Sequence, residues 1–90
     1  MIASRQGTYV PRWAMAIDND LAKAGRLDAD QSDLYESLIR SLVRWVYSDE
    51  TVRNALNALV GGKASERELV AFVLENYPFP IPTAIRERYL

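Results

Sequence analysis

Hydrophobic residues recur at helical spacing along most of this chain, and the clearest stripe lies in its middle. Between about Gln31 and Tyr47, apolar residues form two adjacent i, i+4 rows: Leu34, Leu38, Leu42 and Val46, and Tyr35, Ile39 and Val43. Polar residues occupy the opposite side, which predicts an amphipathic helix. A helix of this length spans on the order of 25 Å, enough to cross a small domain. We therefore expect it at the centre of the fold.

The segment before it predicts a first helix followed by an acidic connector. Pro11 suits the first turn of a helix, and Gly25 is expected to end that helix as its C-terminal cap. The connector contains Asp28 and Asp30, either of which is suited to cap the central helix. The negative charge of these two residues also suits the N-terminal dipole of that helix, and Asp33 is the third aspartate of the connector.

Two more helices are predicted after the central one. Ser48 is a good N-cap for a third helix, which the glycine pair at 61–62 should terminate. The spacing of Ser65 and Glu68 is that of a capping box, and the apolar residues that follow predict a short, well-buried fourth helix. The sequence up to the end of this fourth segment therefore predicts four helices and no strand.

The two ends of the chain have less regular patterns. Residues 1–10 are expected to form a loosely ordered arm. Prolines alternate with apolar residues across 78–82, which predicts an extended segment that either straps the last turn across the core, with Phe79 and Ile81 pointing inward, or serves as a rigid docking element. Thr83 is a candidate cap for a short fifth helix.

These patterns predict an all-α fold, a small bundle of four to five short helices with a Pro-rich extended segment near the C-terminus. Ninety residues correspond to one small domain, so residues 1–90 are expected to form a single unit. No apolar run approaches the ~18 residues of a membrane span, and the N-terminal residues lack the apolar stretch of a signal peptide. A cytoplasmic location is therefore expected.

Composition excludes several kinds of chemistry. The chain contains no Cys and no His, which excludes disulfides, the usual zinc sites, a Cys nucleophile and a His general base. Eleven basic and twelve acidic residues give a net charge of −1, which argues against a partner held mainly by phosphate contacts. Nine of the eleven basic residues are Arg, which is typical of GC-rich bacterial or phage genomes.

The acidic residues do not predict a metal or catalytic site. Five aspartates cluster between positions 18 and 33, but counting from Asp18 or Asp28 gives neither the Gly nor the Glu that a calcium-binding EF-hand loop requires. Carboxylate pairs elsewhere lie in the first turns of predicted helices, where capping explains them. We therefore expect no enzyme activity, no metal and no cofactor.

The aromatic and arginine residues favour a protein-binding surface instead. Interface hot spots are rich in Trp, Tyr and Arg, and the central helix presents these types within two turns. The predicted contact residues are Arg40, Arg44, Trp45 and Tyr47, together with an acidic edge at Asp28, Asp30 and Asp33. An alternative for Trp45 is that it completes the small core, and its position beside the apolar stripe predicts a location at the boundary.

The leading functional hypothesis is a small non-catalytic module that acts by stoichiometric association as a regulator, adaptor or inhibitor of a partner protein or complex. One alternative is a nucleic-acid-binding helix-turn-helix, formed by helices three and four, with Glu66, Arg67 and Glu68 at the start of the recognition helix. Another is a self-assembling structural subunit such as a homodimer, which the largely apolar fourth helix permits. No membrane partner is expected.

Overall fold

The computed structural model describes residues 10–90, and the prediction of an all-α protein is confirmed for that part of the chain. It contains five α-helices and a short 3-10 turn at Ala29–Gln31. The helices are α1 (Arg12–Leu27), α2 (Ser32–Ser48), α3 (Glu50–Gly61), α4 (Glu66–Asn76) and α5 (Thr83–Tyr89). Of the predicted N-terminal arm, residues 1–9 lie outside the described residues. Within residues 10–90, no helix is long and apolar enough to cross a membrane.

The helix at the centre is α1, and not α2 as the hydrophobic pattern predicted. α1 has extensive contacts with both α2 and α4, and it also touches α3. Its buried side has room for these neighbours because it is wide and carries several small residues: Trp13, Ala14, Ala16, Ile17, Leu21, Ala24 and Gly25. Small side chains let two neighbouring helices approach closely. The prediction of α2 as the central helix relied on large apolar residues and did not take this effect into account.

The buried stripe of α2 is shifted slightly from the predicted rows. Four residues of α2 are buried: Tyr35, Leu38, Leu42 and Val46. Leu34, predicted to belong to this stripe, is 44% exposed. Tyr35 takes its place in the core. The three other buried residues follow Tyr35 at i+3, i+7 and i+11, so all four lie on one side of the helix.

The first helix does not end at Gly25, so that prediction is wrong. Pro11 is its N-cap residue, and the helix continues to Leu27. Gly25 lies within the helix against α2, where an added Cβ would come within 3.2 Å of the Cβ of Tyr35. The glycine therefore permits close packing of two helices and does not terminate one.

The capping box of α4 is confirmed, whereas the predicted cap of α3 is wrong. Ser65 accepts a hydrogen bond from the Glu68 N–H at 3.1 Å, and Glu68 accepts one from the Ser65 N–H at 2.7 Å. At α3, Asp49 is the cap, and its carboxylate accepts from the Val52 N–H at 3.1 Å. Ser48 is instead the last residue of α2, and its hydroxyl donates to a carbonyl of that helix.

The acidic connector and Thr83 do not provide the predicted caps. Gln31 is the N-cap residue of α2 and makes no side-chain capping bond, because the 3-10 turn separates Asp28 from the helix. Asp30 lies within that turn. At α5, Pro82 occupies the cap position, and Thr83 is the first helical residue.

Residues 77–82, between α4 and α5, contain neither helix nor strand. The backbone dihedral angles at Tyr77 (φ −67°, ψ 125°) and Pro82 (φ −54°, ψ 138°) lie in or near the extended region. Ile81 packs against the core as expected, but Phe79 is 58% exposed and does not point inward. The prediction of an inward-pointing side chain is therefore wrong for Phe79.

A buried tyrosine joins α5 to α2 and the connector. Tyr35 is 1% exposed, and its hydroxyl donates to Oδ2 of Asp28 at 3.1 Å while accepting from Nε of Arg88 at 3.1 Å. The Arg88 guanidinium also lies 3.7 Å from the same carboxylate oxygen. Burial raises the pKa of Tyr35 and so favours the neutral phenol, which can still donate.

A second tyrosine joins α5 to α1. The hydroxyl of Tyr89 donates to Oδ2 of Asp20 at 2.5 Å, and the guanidinium of Arg67 lies 5.1 Å from the centre of the Tyr89 ring. Burial, and then the hydrogen bond to Asp20, raise the pKa of Tyr89 strongly. Together with the fully buried Ile85, these contacts hold the seven-residue α5 in place.

Candidate protein-binding surface

Two arginines project from the side of α2 that faces away from the core. Arg44 follows the fully buried Leu42 by two positions, which places it about 200° around the helix axis. Arg40 lies one turn earlier, and its Nη1 is 4.0 Å from Oε1 of Glu36, in a pair whose side chains are about 70% exposed. An exposed pair of this kind contributes little to stability. Among residues 10–90, Arg44 has no carboxylate partner within salt-bridge distance.

One flank of these arginines borders a recess between α2 and the segment at 77–82. This aromatic recess has a volume of about 440 Å³ and is lined by Ser41, Arg44, Trp45, Ser48, Tyr77 and Phe79. Its three rings pack edge to face, with ring centres 5.4 Å apart for Trp45–Tyr77 and also 5.4 Å apart for Tyr77–Phe79. Trp45 is partly buried, at the boundary of the core, as its position in the sequence predicts.

The other flank borders a recess between α1 and α2. This apolar recess has a volume of about 550 Å³ and is lined by Val10, Ala14, Asp18, Ile39, Arg40, Val43, Arg44 and Tyr47. Val10 and Tyr47 are each 50% exposed. The ring of Tyr47 packs edge to face on that of the buried Trp13, with centres 5.0 Å apart, so its orientation is fixed although its edge is open.

Arg44 lines both recesses and so connects them. The four predicted contact residues of α2 therefore lie on one continuous surface: Arg40, Arg44, Trp45 and Tyr47. We call these four residues and the two recesses the α2 surface. It combines exposed cations with aromatic side chains that are already held in place by neighbouring rings.

Within the predicted acidic edge, Asp28 differs from Asp30 and Asp33 because its carboxylate already has partners in the molecule. The carboxylate of Asp28 is occupied by Tyr35 and Arg88. Asp30 and Asp33 are both exposed. Asp33 lies on the same side of α2 as the arginines, but about 10 Å along the axis from Arg40 and about 16 Å from Arg44. The structure therefore places Asp33 beside the α2 surface and gives Asp28 a structural contact.

Several residues of this surface were not among the predicted site residues. Tyr77 and Phe79 line the aromatic recess, and Val10 lines the apolar recess. Tyr77 and Phe79 follow Trp45 by more than thirty positions, so helical periodicity contains no signal for their proximity. The unusual density of aromatic and proline residues at 77–82 was the available indication, but it did not show which helix the segment contacts.

The start of α4, the candidate recognition helix, is engaged within the molecule. Glu66 accepts a hydrogen bond from the side chain of Asn19 at 3.3 Å. Arg67 lies over the Tyr89 ring and donates to the carbonyl of Arg88. Glu68 belongs to the capping box. All three residues predicted to face base edges therefore have partners in α1, in α5 or at the N-cap of α4.

Residues 10–90 contain no group of three or more acidic side chains that is placed to hold a metal ion. The tyrosines with shifted pKa values, Tyr35 and Tyr89, join α5 to the rest of the fold and line neither recess of the α2 surface. No protein-family model matches this chain, and no match is found among curated proteins or solved structures.

Proposed function

We propose that this protein is a non-catalytic binding module that associates stoichiometrically with another protein through the α2 surface, as a regulator, adaptor or inhibitor. The observation that carries the proposal is the position of Arg44, which lines both recesses and has no carboxylate partner among residues 10–90. A partner that buries this surface gains apolar contact on both flanks and pairs the central cation.

The residue types and their rigidity support this proposal. Trp, Tyr and Arg are the residues that most often dominate binding energy at protein interfaces. Trp45 is held by Tyr77, and Tyr47 is held by Trp13, so little side-chain freedom remains to be lost on association. The Pro-rich segment, proposed here to be extended and stiff, would keep Phe79 in position at the rim.

The nucleic-acid alternative has weaker support from the structure. A recognition helix needs free polar side chains at its N-terminus, whereas the side chains of Glu66, Arg67 and Glu68 all have hydrogen-bond partners. Two of these three residues are also acidic and would be repelled by phosphates. A gel-shift titration on duplex DNA at low salt tests this alternative, because non-specific binding should appear there first.

The proposed function is tested by capture of partners with the purified protein and an Arg44→Glu variant. Arg44 is exposed, so charge reversal should leave the fold intact while removing the partner from the captured material. Arg86→Glu, an identical charge reversal at an exposed position on α5, is the matched control and should retain the partner. Thermal unfolding of all three proteins shows that they are folded.

If the Arg44→Glu variant and a Trp45→Ala variant each retain the partner at the level of the wild type, the α2 surface is not the binding site. Light scattering on the same samples separates binding of another protein from self-assembly. A symmetric dimer that Arg44→Glu dissociates would show that the α2 surface binds a second copy.

A further inference from the structure

The aromatic recess has the chemistry of a binding site for an extended, proline-rich segment. Resting on the proposed function, we infer that the partner presents to this recess a polyproline II segment flanked by an acidic residue. The prolines would pack on the rings of Trp45, Tyr77 and Phe79, and the acidic side chain would pair with Arg44. The inference thus names the class of partner segment that this part of the α2 surface recognises.

The arrangement of rings favours a proline-rich ligand. Polyproline II segments dock in grooves lined by aromatic side chains, and their preformed backbone loses little entropy on binding. In this protein, the three successive edge-to-face rings hold one another in fixed orientations beside α2. Phe79 is 58% exposed at the open side, where a ligand can cover it. The recess is therefore a fixed series of apolar ring surfaces and not a flexible patch.

The indole N–H of Trp45 supplies a hydrogen-bond donor that suits such a ligand. Among residues 10–90, no acceptor for this N–H is found, and no buried polar side-chain atom lacks a partner. Within the described part of the chain, the indole N–H of Trp45 therefore has no hydrogen-bond partner. A polyproline II backbone has no internal hydrogen bonds, so its carbonyl groups are free to accept from an indole N–H.

Arg44 supplies selectivity for charge. It lies in the same recess as Trp45 and has no carboxylate within 4.0 Å among residues 10–90. An Arg–carboxylate pair is a charge-assisted contact that is frequently bidentate. A basic residue at this position of the ligand would be repelled, so an acidic residue beside the proline-rich stretch is the complementary choice.

The test is a titration of the full chain with short synthetic peptides, followed by the two indole N–H signals in NMR spectra. The first peptide alternates proline and leucine and has a glutamate at one end; the second has lysine in place of glutamate; the third has the glutamate but serine in place of proline. We expect the first peptide alone to shift the Trp45 signal. Trp13, which is 2% exposed, is the internal reference, and a Trp45→Phe variant assigns the two signals.

Two further variants test the contribution of the Arg44 charge. Arg44→Gln should weaken binding of the first peptide about tenfold, because it removes the charge-assisted contact. Arg40→Gln is the matched control, since Arg40 lies on the same side of α2 but does not line the aromatic recess, and it should bind as the wild type does. Trp45→Phe retains a ring but loses the N–H donor and its NMR signal, so calorimetry follows this variant, which should also bind more weakly.

Each contrary outcome removes a defined part of the inference. Equal binding of the lysine peptide overturns selectivity for acid, and equal binding of the serine peptide overturns recognition of polyproline II. No shift with any peptide overturns the whole inference. If the peptides fail while Arg44→Glu still loses its captured partner, the proposed function stands and the partner uses different chemistry. If the peptides bind while that variant retains its partner, the recess is a ligand site separate from the proposed interface.

Discussion

Gly25 and Tyr35 set the distance between α1 and α2, because an added Cβ on Gly25 would lie 3.2 Å from the Cβ of Tyr35. Replacing a helical glycine by alanine ordinarily stabilises a helix by up to about 1 kcal/mol. Here Tyr35 is buried and has hydrogen bonds to two other residues, so it cannot easily move away. We expect Gly25→Ala to lower the free energy of unfolding by about 1 kcal/mol, measured by urea denaturation.

Gly61→Ala is the matched control for that experiment. Gly61 lies in the last turn of α3, and an added Cβ there meets nothing within 4 Å. The same substitution should therefore stabilise the protein by about 0.5 kcal/mol. A Gly25→Ala protein as stable as the Gly61→Ala protein would show that α1 and α2 have room to separate.

The hydroxyl of Tyr35 is expected to contribute measurably to stability. Tyr35→Phe keeps the buried ring but removes the bonds to Asp28 and Arg88, and it should lower the free energy of unfolding by about 1–2 kcal/mol. Tyr47→Phe removes a hydroxyl from a half-exposed ring and should change stability by less than about 0.5 kcal/mol. Equal effects of the two substitutions would mean that the hydrogen bonds of the Tyr35 hydroxyl stabilise the fold no more than its hydrogen bonds to water would.

The free energy of unfolding should fall in alkaline solution because of the phenols of Tyr35 and Tyr89. The pKa values of Tyr35 and Tyr89 are raised above their ordinary value of 10.0, so the folded state favours the neutral forms. The stabilisation is fully present below pH 10 and is lost as the pH rises through the higher folded-state pKa values, since only the unfolded chain ionises readily. Urea denaturation at several pH values above 10 should show this decline, and Tyr89→Phe should decline less steeply. Parallel profiles for the two proteins would contradict the assignment to Tyr89.

The cap of α3 provides a direct comparison of two neighbouring residues. Asp49→Ala removes the acceptor for the Val52 N–H and should cost about 1 kcal/mol in thermal or urea unfolding. Ser48→Ala should cost less than about 0.5 kcal/mol, because Ser48 bonds back into α2 and is exposed. The reverse order would support the sequence-based choice of Ser48 as the cap.

Local sequence patterns predicted the helices well but not their mutual arrangement. The capping box at Ser65 and the stripe of α2 depend on residues three or four positions apart, and both are present in the structure. The prediction for Gly25 is wrong because a helix-ending glycine and a glycine at a helix crossing have the same local sequence pattern. Only the position of Tyr35, on another helix, distinguishes them.

For the candidate surface too, the sequence predicted the residues on one helix but not the contacts between distant segments. Arg40, Arg44, Trp45 and Tyr47 belong to one helix, so their shared location followed from helical spacing alone. The partners of Asp28 did not follow, because Arg88 lies sixty positions later and no periodic pattern connects the two. An aspartate in a connector therefore appeared to be a free surface charge, whereas the fold uses it to fix α5.

The attachment of α5 also affects how the chain assembles during synthesis. Arg88 follows Tyr35 by 53 positions, and Tyr89 follows Asp20 by 69. At about 5–20 residues per second, a ribosome needs roughly 3–10 s to add the residues between Tyr35 and Arg88. Until α5 is added, the Tyr35 hydroxyl and the Asp20 carboxylate lack the hydrogen bonds that this helix provides. Attachment of α5 is therefore a late event in the assembly of this fold.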